Sequence, residues 1–545
     1  MSIRIKRIAG TIVFFLLLFS VLVYIQDLVT PNFDWPVHNR RSLKGIRSAF
    51  NEPSNSIDAV YFGTSQTFCS ISPMNIYDMS GIRSYNLATT NQRVPVAYHL
   101  LKAFLRDQKP KVVVIDASGF FYTEDELQSN AKYEEMVDSL PISRFQDKIE
   151  TMSEIATLMG KPEDKKYILS SIITLLRYHS NYLLKEEDYW EMYLKDLYQR
   201  KGYVATFDFV PVEDDVYRQV RALLDRDDPY ASDDDALDKL KAALASNVPY
   251  LEKMQQMCND IGAQLVFVKV PICMNTEHRG YWSANKHDMT QALSEKMGVK
   301  FLDMCYEDVG VDWYRDTNDG GAHVNYRGTQ KVTARLLKWL QEDFGLSSEQ
   351  NDQWDKSWSY QKDLFFEEME YLKLELEDDL INYLQRVREG DFILLTVVSN
   401  TVGDYWSDEA QRAFEQATGS KLDLRDEENG AYLSISSHGE IIEERNDKSQ
   451  CSLETTLENG LNCQLLSRQG KRTVNGFIKI DDTRYDLDLG AGIHFVVYDK
   501  KLGCVVDSVC FSASSEKIKA HQDVAYKDNM RHHVIEYAHS WMSKM

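Results

Sequence analysis

Short apolar runs alternate with longer amphipathic stretches between residues 57 and 340. The runs occupy residues 59–62, 111–116, 264–270 and 300–303. Continuous apolar runs of this length, separated by helical patterns, are typical of parallel strands that helices cover on both faces. The pattern therefore predicts an α/β domain with a three-layer parallel sheet at residues 31–345, interrupted by a long helical and acidic insertion at about 125–259.

The pattern changes after the last of these helical stretches. A mostly polar segment predicts a linker at residues 346–360. Beyond it, apolar side chains recur every three or four positions from Phe365 to Val387 and predict one long helix that ends at Gly390. Short strands and one further helix follow, so the remainder predicts a separate α+β domain over residues 361–545.

The N-terminal segment has a third kind of pattern. Residues 8–26 are mostly apolar and carry no charge, while Arg4, Lys6 and Arg7 precede them. A helix of this length nearly spans a hydrocarbon core of about 30 Å, and positive flanking charges stay in the cytoplasm. Residues 1–30 therefore predict a cytoplasmic tip and a single-pass transmembrane anchor, with the bulk of the chain extracytoplasmic. A cleaved signal peptide is the alternative, but the small residues of a cleavage site are missing.

Composition and charge mainly exclude classes of protein and of partner. The chain is 43% hydrophobic and 11% aromatic, which argues against disorder. Its formal net charge of −22 argues against nucleic acid as a partner, because nucleic acid is itself a polyanion. Eight cysteines without a CxxC pair argue against a disulfide scaffold and a zinc ribbon. We therefore expect neither a metal nor a cofactor.

Candidate chemistry lies at the predicted ends of the strands. Ser65 follows the first strand directly, and the carboxyl ends of parallel strands are where ligands and reacting groups collect. A serine there can present its Oγ, with backbone N–H groups facing a developing oxyanion. A second loop holds Asp316, Asp319 and His323 just before a predicted helix, which offers a general base and an orienting acid. Taken singly, each of these loops is more often structural than catalytic.

Together these segments resemble the SGNH/GDSL hydrolase superfamily, and more closely its membrane-anchored members found beside cell-surface polymer acylation systems. The resemblance covers residues 55–345 and rests on residues 61–66, 71–73, 84–92, 109–116, 177–180, 201–203 and 319–328. It implies a flavodoxin-like sheet with Ser65 as nucleophile, His323 as base and Asp319 as orienting acid. It further implies Asp316 as a substitute acid, and an oxyanion site formed by the Ser65 backbone N–H and Asn86.

Two blocks of the family pattern are absent. No Gly-x-Asn-Asp follows the second strand, where residues 115–119 are Ile-Asp-Ala-Ser-Gly. Residues 86–89, Asn-Leu-Ala-Thr, lack the glycine of the other block. Since both blocks normally donate hydrogen bonds to the oxyanion, the oxyanion site of this chain is either built from other groups or poor.

Two functions therefore remain open. The first is a membrane-anchored, extracytoplasmic serine esterase or O-acyltransferase that acts on a cell-surface polysaccharide or wall polymer through an acyl-enzyme. The second is a catalytically degenerate scaffold that binds glycan or assists assembly. Besides the lipid bilayer and the polymer, the resemblance implies a membrane-bound O-acyltransferase as a partner.

The C-terminal domain resembles the interleukin-like EMT inducer (ILEI) domain, also called PANDER-like. The matching segments are residues 390–395, 407–410 and 418–420 for its second half, and 490–499 and 506–511 for its first half. This order is that of a circular permutation, which folds tolerate when their termini lie close together. Relatives occur in glycan-active proteins, which implies carbohydrate binding with Trp406 or Tyr432 stacked on a sugar. A plain structural module is the alternative.

Overall fold

The computed structural model of the chain divides into two compact units, Met1–Phe365 and Phe366–Met545. It describes the following residues: 43–122, 144–158, 200–205, 234–273, 282–313, 316–375, 379–399, 406–426, 429–457, 460–469, 476–486, 492–500, 504–512 and 518–521, with Glu377 and scattered positions within 10–25, 137–141 and 160–176. Each unit is described below by itself.

A five-stranded parallel sheet forms the centre of the first unit. Its strands are β1 (Ala59–Phe62), β2 (Ser84–Asn86), β3 (Val112–Asp116), β4 (Gln264–Lys269) and β5 (Lys300–Asp303). Their order is β2-β1-β3-β4-β5, and every neighbouring pair is parallel. The four apolar runs are thus confirmed as parallel strands. The strand order changes direction between β1 and β3, which places a crevice at the carboxyl ends of these two strands.

Helices cover this sheet and separate its strands. They are α1 (Leu43–Ser48), α2 (Ser65–Ser70), α3 (Pro73–Ser80), α4 (Val94–Phe104), α5 (Phe145–Leu158), α6 (Asp234–Ile261), α7 (Ala284–Met297), α8 (Tyr326–Phe344) and the part of α9 (Asp352–Glu375) that precedes Phe366. Because α6 packs on α4 and β4, it is one of the covering helices. The predicted insertion at 125–259 therefore extends too far at its C-terminal end, and much of its remainder lies outside the described residues.

The core of the first unit lies on the faces of the sheet. Every residue of β1 and β3 is buried, as continuous apolar strands require. Helix α8 contributes a stripe at intervals of four, Val332, Leu336 and Leu340, to the same buried cluster as Val114 of β3 and Val266 of β4. This packing holds the start of α8 at the carboxyl edge of the sheet.

The predicted linker at 346–360 is wrong for most of its length. Helix α9 begins at Asp352, and Trp358 within it is buried against the ring of Tyr77, with the ring centroids 5.2 Å apart. The Asp355 carboxylate accepts a hydrogen bond from the buried Arg83 guanidinium at 2.7 Å. The segment is polar because only one face of the helix is covered, and composition alone did not distinguish that from a linker.

The second unit has the expected α+β character. A six-stranded antiparallel sheet has the order β15-β14-β13-β6-β7-β8, and a four-stranded one has the order β12-β11-β10-β9. The strands are β6 (Phe392–Ser399), β7 (Ala431–Ser437), β8 (Glu440–Asp447), β9 (Gln450–Thr456), β10 (Asn462–Arg468), β11 (Gly476–Ile480), β12 (Thr483–Asp486), β13 (Gly492–Asp499), β14 (Cys504–Ser512) and β15 (Ile518–His521). The inner faces of the two sheets share one apolar core.

Two helices accompany these sheets, α10 (Leu380–Glu389) and α11 (Asp408–Thr418). The single long helix expected from Phe365 to Val387 is wrong, because α10 starts anew after α9. The Asp379 side chain caps it by accepting a hydrogen bond from the Asn382 N–H at 3.0 Å. The end of α10 before Gly390 is confirmed.

Among the described residues, no helix is both long and apolar enough to cross a membrane. Part of the predicted anchor at 8–26 lies outside those residues. The described positions within it are helical, and their apolar side chains, including Phe14, Phe15 and Leu17, are exposed. The anchor therefore stays a prediction.

Candidate active site

Ser65 stands at the first position of α2, directly after the turn that leaves β1. In that turn Gly63 has φ +153°, and a Cβ on it would lie only 2.7 Å from the Cβ of Asp116. Only glycine lets the chain turn this closely against β3. The Gly63 N–H also donates to Gln92 Oε1 at 2.8 Å, which ties the turn to the loop after β2. Ser65 thus lies at the crevice, half-buried.

Ser65, His323 and Asp319 form a connected chain of hydrogen bonds. Nε2 of His323 lies 2.8 Å from Ser65 Oγ, and its Nδ1 lies 2.5 Å from Asp319 Oδ2. The other carboxylate oxygen, Oδ1, accepts the backbone N–H groups of Ala322 at 3.1 Å and His323 at 2.8 Å. The carboxylate is therefore oriented by its own loop. All three residues predicted as nucleophile, base and acid meet, in the arrangement of a Ser-His-Asp triad.

The loop that carries His323 is itself tied down. The Thr317 hydroxyl donates to the His323 carbonyl at 2.9 Å, across a bridge between Thr317 and Val324. Asn325 caps α8 with its side chain. Farther along α8, the Thr329 hydroxyl donates to the carbonyl of Cys69 in α2 at 2.6 Å. These buried contacts join the two segments that bring Ser65 and the imidazole together.

Asp316, the predicted substitute acid, does not contact His323. Its fully buried carboxylate accepts hydrogen bonds from the Lys331 ammonium at 2.5 Å and the Asp312 N–H at 2.7 Å, with Arg327 Nε 3.6 Å away. The prediction of Asp316 as an alternative acid is wrong. Its charge instead fastens the loop to the first turns of α8.

Asn86, the predicted oxyanion donor, is fully buried and already satisfied. Its Nδ2 donates to the carbonyls of Thr67 at 3.3 Å and Ile71 at 3.1 Å, and its Oδ1 accepts the Ala88 N–H at 3.1 Å. Because both amide hydrogens are used, the prediction for Asn86 is wrong, and the side chain fixes α2 to the end of β2. The Ser65 N–H, in contrast, donates to no residue in the described part of the chain.

Sequence reasoning missed a polar cluster beneath the candidate nucleophile. Lys269, at the end of β4 and fully buried, donates to Gln66 Oε1 and to the Val270 carbonyl, both at 2.8 Å. The Ser118 hydroxyl donates to the same Gln66 oxygen at 3.1 Å. Asp116, at the end of β3, accepts the N–H groups of Ser118 and Val270, each at 2.9 Å. The signal available in the sequence was a charged residue at the end of two adjacent apolar runs.

Thiol chemistry finds little support at this site. Burial raises the pKa of the Cys69 thiol well above its ordinary range, and the nearby Asp319 charge raises it further. The thiol stays protonated at neutral pH and does not compete with Ser65 as a nucleophile. Within the described ranges, no group of three His, Cys, Asp or Glu side chains is arranged to hold a metal ion.

In the second unit, both side chains predicted to stack on sugar are part of the core. Trp406 is only 6% exposed, its Nε1 donates to Gln411 Oε1 at 3.0 Å, and its ring packs edge-on against Phe414. Tyr432 is fully buried, and its hydroxyl donates to Glu444 Oε1 at 3.0 Å. Neither ring presents a face to a ligand, so both predictions are wrong.

Compared with known proteins, the chain matches no protein-family model, and no curated protein sequence matches it significantly.

Proposed function

We propose that this protein is a membrane-anchored, extracytoplasmic serine esterase or O-acyltransferase of SGNH type that acts on a cell-surface glycan or wall polymer. The observation that carries the proposal is the unbroken chain of hydrogen bonds from Ser65 Oγ through His323 to Asp319. The strand order β2-β1-β3-β4-β5 supports it, because this is the flavodoxin-like order, with the crevice where Ser65 stands.

The chemistry follows from this chain of contacts. Ser65 Oγ attacks the carbonyl carbon of an ester while its proton passes to His323 Nε2. Asp319 stabilises the imidazolium that forms and keeps Nε2 directed at the nucleophile. The tetrahedral intermediate then collapses, and the leaving alcohol takes the proton from His323. Water or a sugar hydroxyl repeats these steps in reverse on the acyl-enzyme, which gives hydrolysis or transfer.

The exposure of the triad favours a large substrate. The side chains of His323 and Asp319 are 25% and 37% exposed, so the described residues do not enclose them. An open site admits a pendant ester or hydroxyl on a polymer. The proposed location rests on the charge-free apolar segment at 8–26 and its basic flank. An anchor of this kind would keep the candidate active site near the membrane, where an O-acyltransferase partner would supply acyl groups.

The second unit remains, in this proposal, a circularly permuted ILEI-like module. The two aromatic side chains that favoured carbohydrate binding by this unit, Trp406 and Tyr432, both lie in the core. They therefore no longer support that function. A catalytically degenerate, glycan-binding scaffold is the runner-up for the whole protein. The connected triad disfavours the scaffold, because such a protein has no need to keep these three side chains in hydrogen-bond contact.

The test uses the full chain in detergent micelles. Wild type, Ser65→Ala and Ser153→Ala are incubated with a fluorophosphonate probe and, separately, with an aryl acetate. Ser153 is an exposed serine of α5 and serves as the matched control. We expect labelling and turnover in wild type and Ser153→Ala, and loss of both in Ser65→Ala. Folded wild type that is neither labelled nor active would favour the scaffold.

Transfer and hydrolysis are separated in the same assay. Oligosaccharide acceptors are added to the aryl acetate reaction, and the acetylated sugar is measured by mass spectrometry. Acetylated sugar formed by wild type and not by Ser65→Ala supports an O-acyltransferase. Release of acetate alone supports an esterase.

A further inference from the structure

Among the residues that the structure describes, the candidate active site lacks an evident second donor for the oxyanion. The family blocks that normally supply donors are absent from the sequence, and Asn86 spends both amide hydrogens on backbone carbonyls. One donor, the Ser65 N–H, rarely suffices, because acyl-transfer sites direct at least two at the developing charge. The side chain next to Ser65 in sequence is therefore of interest.

The orientation of the Gln66 amide is set by its partners. Its Oε1 accepts hydrogen bonds from Lys269 Nζ at 2.8 Å and from the Ser118 hydroxyl at 3.1 Å. An ammonium group has three donors and no acceptor, so the amide oxygen, and not the nitrogen, has to face Lys269. The chemistry of the contact therefore excludes the flipped amide.

The nitrogen of the same amide has no hydrogen-bond partner in this cluster. Nε2 of Gln66 donates to no residue that the structure describes, and it is not among the fully enclosed polar atoms that lack a partner. Gln66 keeps 5% of its surface exposed. An amide whose oxygen is doubly held and whose nitrogen reaches solvent is a donor prepared for a ligand.

We propose that the Gln66 side-chain amide donates a hydrogen bond to the oxyanion formed on attack by Ser65, and that Lys269 positions it. The inference rests on the proposed function. As the Ser65 Oγ–carbon bond forms, the π pair of the carbonyl moves onto its oxygen, which accepts from Gln66 Nε2 and the Ser65 N–H. On collapse, the electron pair of the oxyanion re-forms the carbonyl π bond, the bond from carbon to the leaving oxygen breaks, and the alcohol departs with the proton from His323.

Lys269 has two effects in this arrangement. Its ammonium group holds the amide oxygen, which restricts the rotation of the side chain. It also polarises the amide, so that the N–H groups become stronger donors. Lys269 acts through Gln66 and does not touch the substrate, so it is a positioning residue.

The decisive variant is Gln66→Glu. A carboxylate at this position still accepts hydrogen bonds from Lys269 and Ser118, so the cluster keeps its hydrogen bonds, but the N–H donors of the amide are gone. We expect kcat for an aryl acetate to fall by about 10²- to 10³-fold, with KM changed much less. The melting temperature stays near that of wild type. A purely structural role predicts the opposite, with nearly full activity.

Two further variants separate charge from donation. Gln66→Met removes the donor without adding a charge and should lose kcat to a similar extent, with some loss of melting temperature. Lys269→Met should lose less kcat than either, because the amide remains but is no longer held. Gln341→Glu is the matched control, since it lies exposed at the far end of α8 from the site, and it should keep wild-type kcat.

An aryl boronic acid forms a tetrahedral anion on Ser65. Its affinity for folded protein measures stabilisation of that anion separately from the stability of the variant. Its affinity should fall in Gln66→Glu and Gln66→Met in parallel with kcat. Active wild type with kcat retained within threefold in Gln66→Glu would overturn the inference and leave the proposed function intact. Inactive, unlabelled wild type would instead overturn the proposed function.

Discussion

The two oxygens of the Asp319 carboxylate have different partners, and this makes an asparagine substitution unusually informative. Oδ1 accepts two backbone N–H groups, those of Ala322 and His323, while Oδ2 faces His323 Nδ1 at 2.5 Å. In Asp319→Asn the amide oxygen has to take the Oδ1 position, because both backbone partners are donors. The amide NH₂ then faces Nδ1 and donates to it, which forces the ring proton onto Nε2.

The size of the expected loss in kcat for Asp319→Asn follows from that tautomer. An imidazole protonated on Nε2 cannot accept the proton of Ser65 Oγ, which lies 2.8 Å away. Loss of rate from this cause is about 10⁴-fold in a Ser-His-Asp triad. In Asp319→Ala no tautomer is imposed, and only the charge interaction with the imidazolium disappears. For charges about 4 Å apart this interaction is about 1 kcal/mol in water and about 4 kcal/mol at an effective dielectric constant of 20.

Those energies correspond to about fivefold and about 10³-fold in rate. The Asp319 side chain is 37% exposed, so the effect of Asp319→Ala should fall within this range. We therefore expect Asp319→Asn to be slower than Asp319→Ala, although asparagine is the more conservative substitution. The assay is kcat for an aryl acetate, with Asp288→Asn, exposed on α7, as the control. Equal or higher activity in Asp319→Asn would refute the reasoning.

Three further predictions concern stability. Asp316→Asn should lower the free energy of unfolding by about 1–3 kcal/mol, measured by urea denaturation, because it leaves Lys331 without its buried partner; wild-type stability would contradict this. Burial lowers the pKa of His494 to about 3, so the unfolded chain takes up this proton as pH falls below about 6.5. The contribution of His494 to the free energy of unfolding should be complete above that pH and decline toward pH 3, by on the order of 4 kcal/mol. In His494→Gln the free energy of unfolding should change less steeply with pH, and an unchanged steepness would count against the assignment. Gly202→Ala should destabilise by about 2–4 kcal/mol, because φ is +80° and its Cβ would lie 1.8 Å from the Asn86 carbonyl oxygen. Gly298→Ala, left-handed but with open space around it, should cost only about 1 kcal/mol; equal losses would show that the contact is unimportant.

Local pattern predicted the features of this protein that depend on neighbours in the chain. Continuous apolar runs identified four strands of the parallel sheet, because a strand that helices cover on both faces buries all of its side chains. The same reasoning placed Ser65 at the end of the first strand and a histidine with two aspartates before α8. It failed at α9, where a single buried face lies in an otherwise polar segment, so that Trp358 is buried although its neighbours in the sequence are polar.

The tertiary structure alone decided which groups meet. Asp316 and Asp319 lie three positions apart in one loop, and only the fold of that loop directs one to Lys331 and the other to His323. The same holds for Asn86, whose amide donates to the carbonyls of Thr67 in α2 and of Ile71 directly after it. Hydrogen-bond partners more than two hundred positions apart, such as Lys269 and Gln66, leave no periodic trace in a sequence, because their contact depends on the order of strands in the sheet.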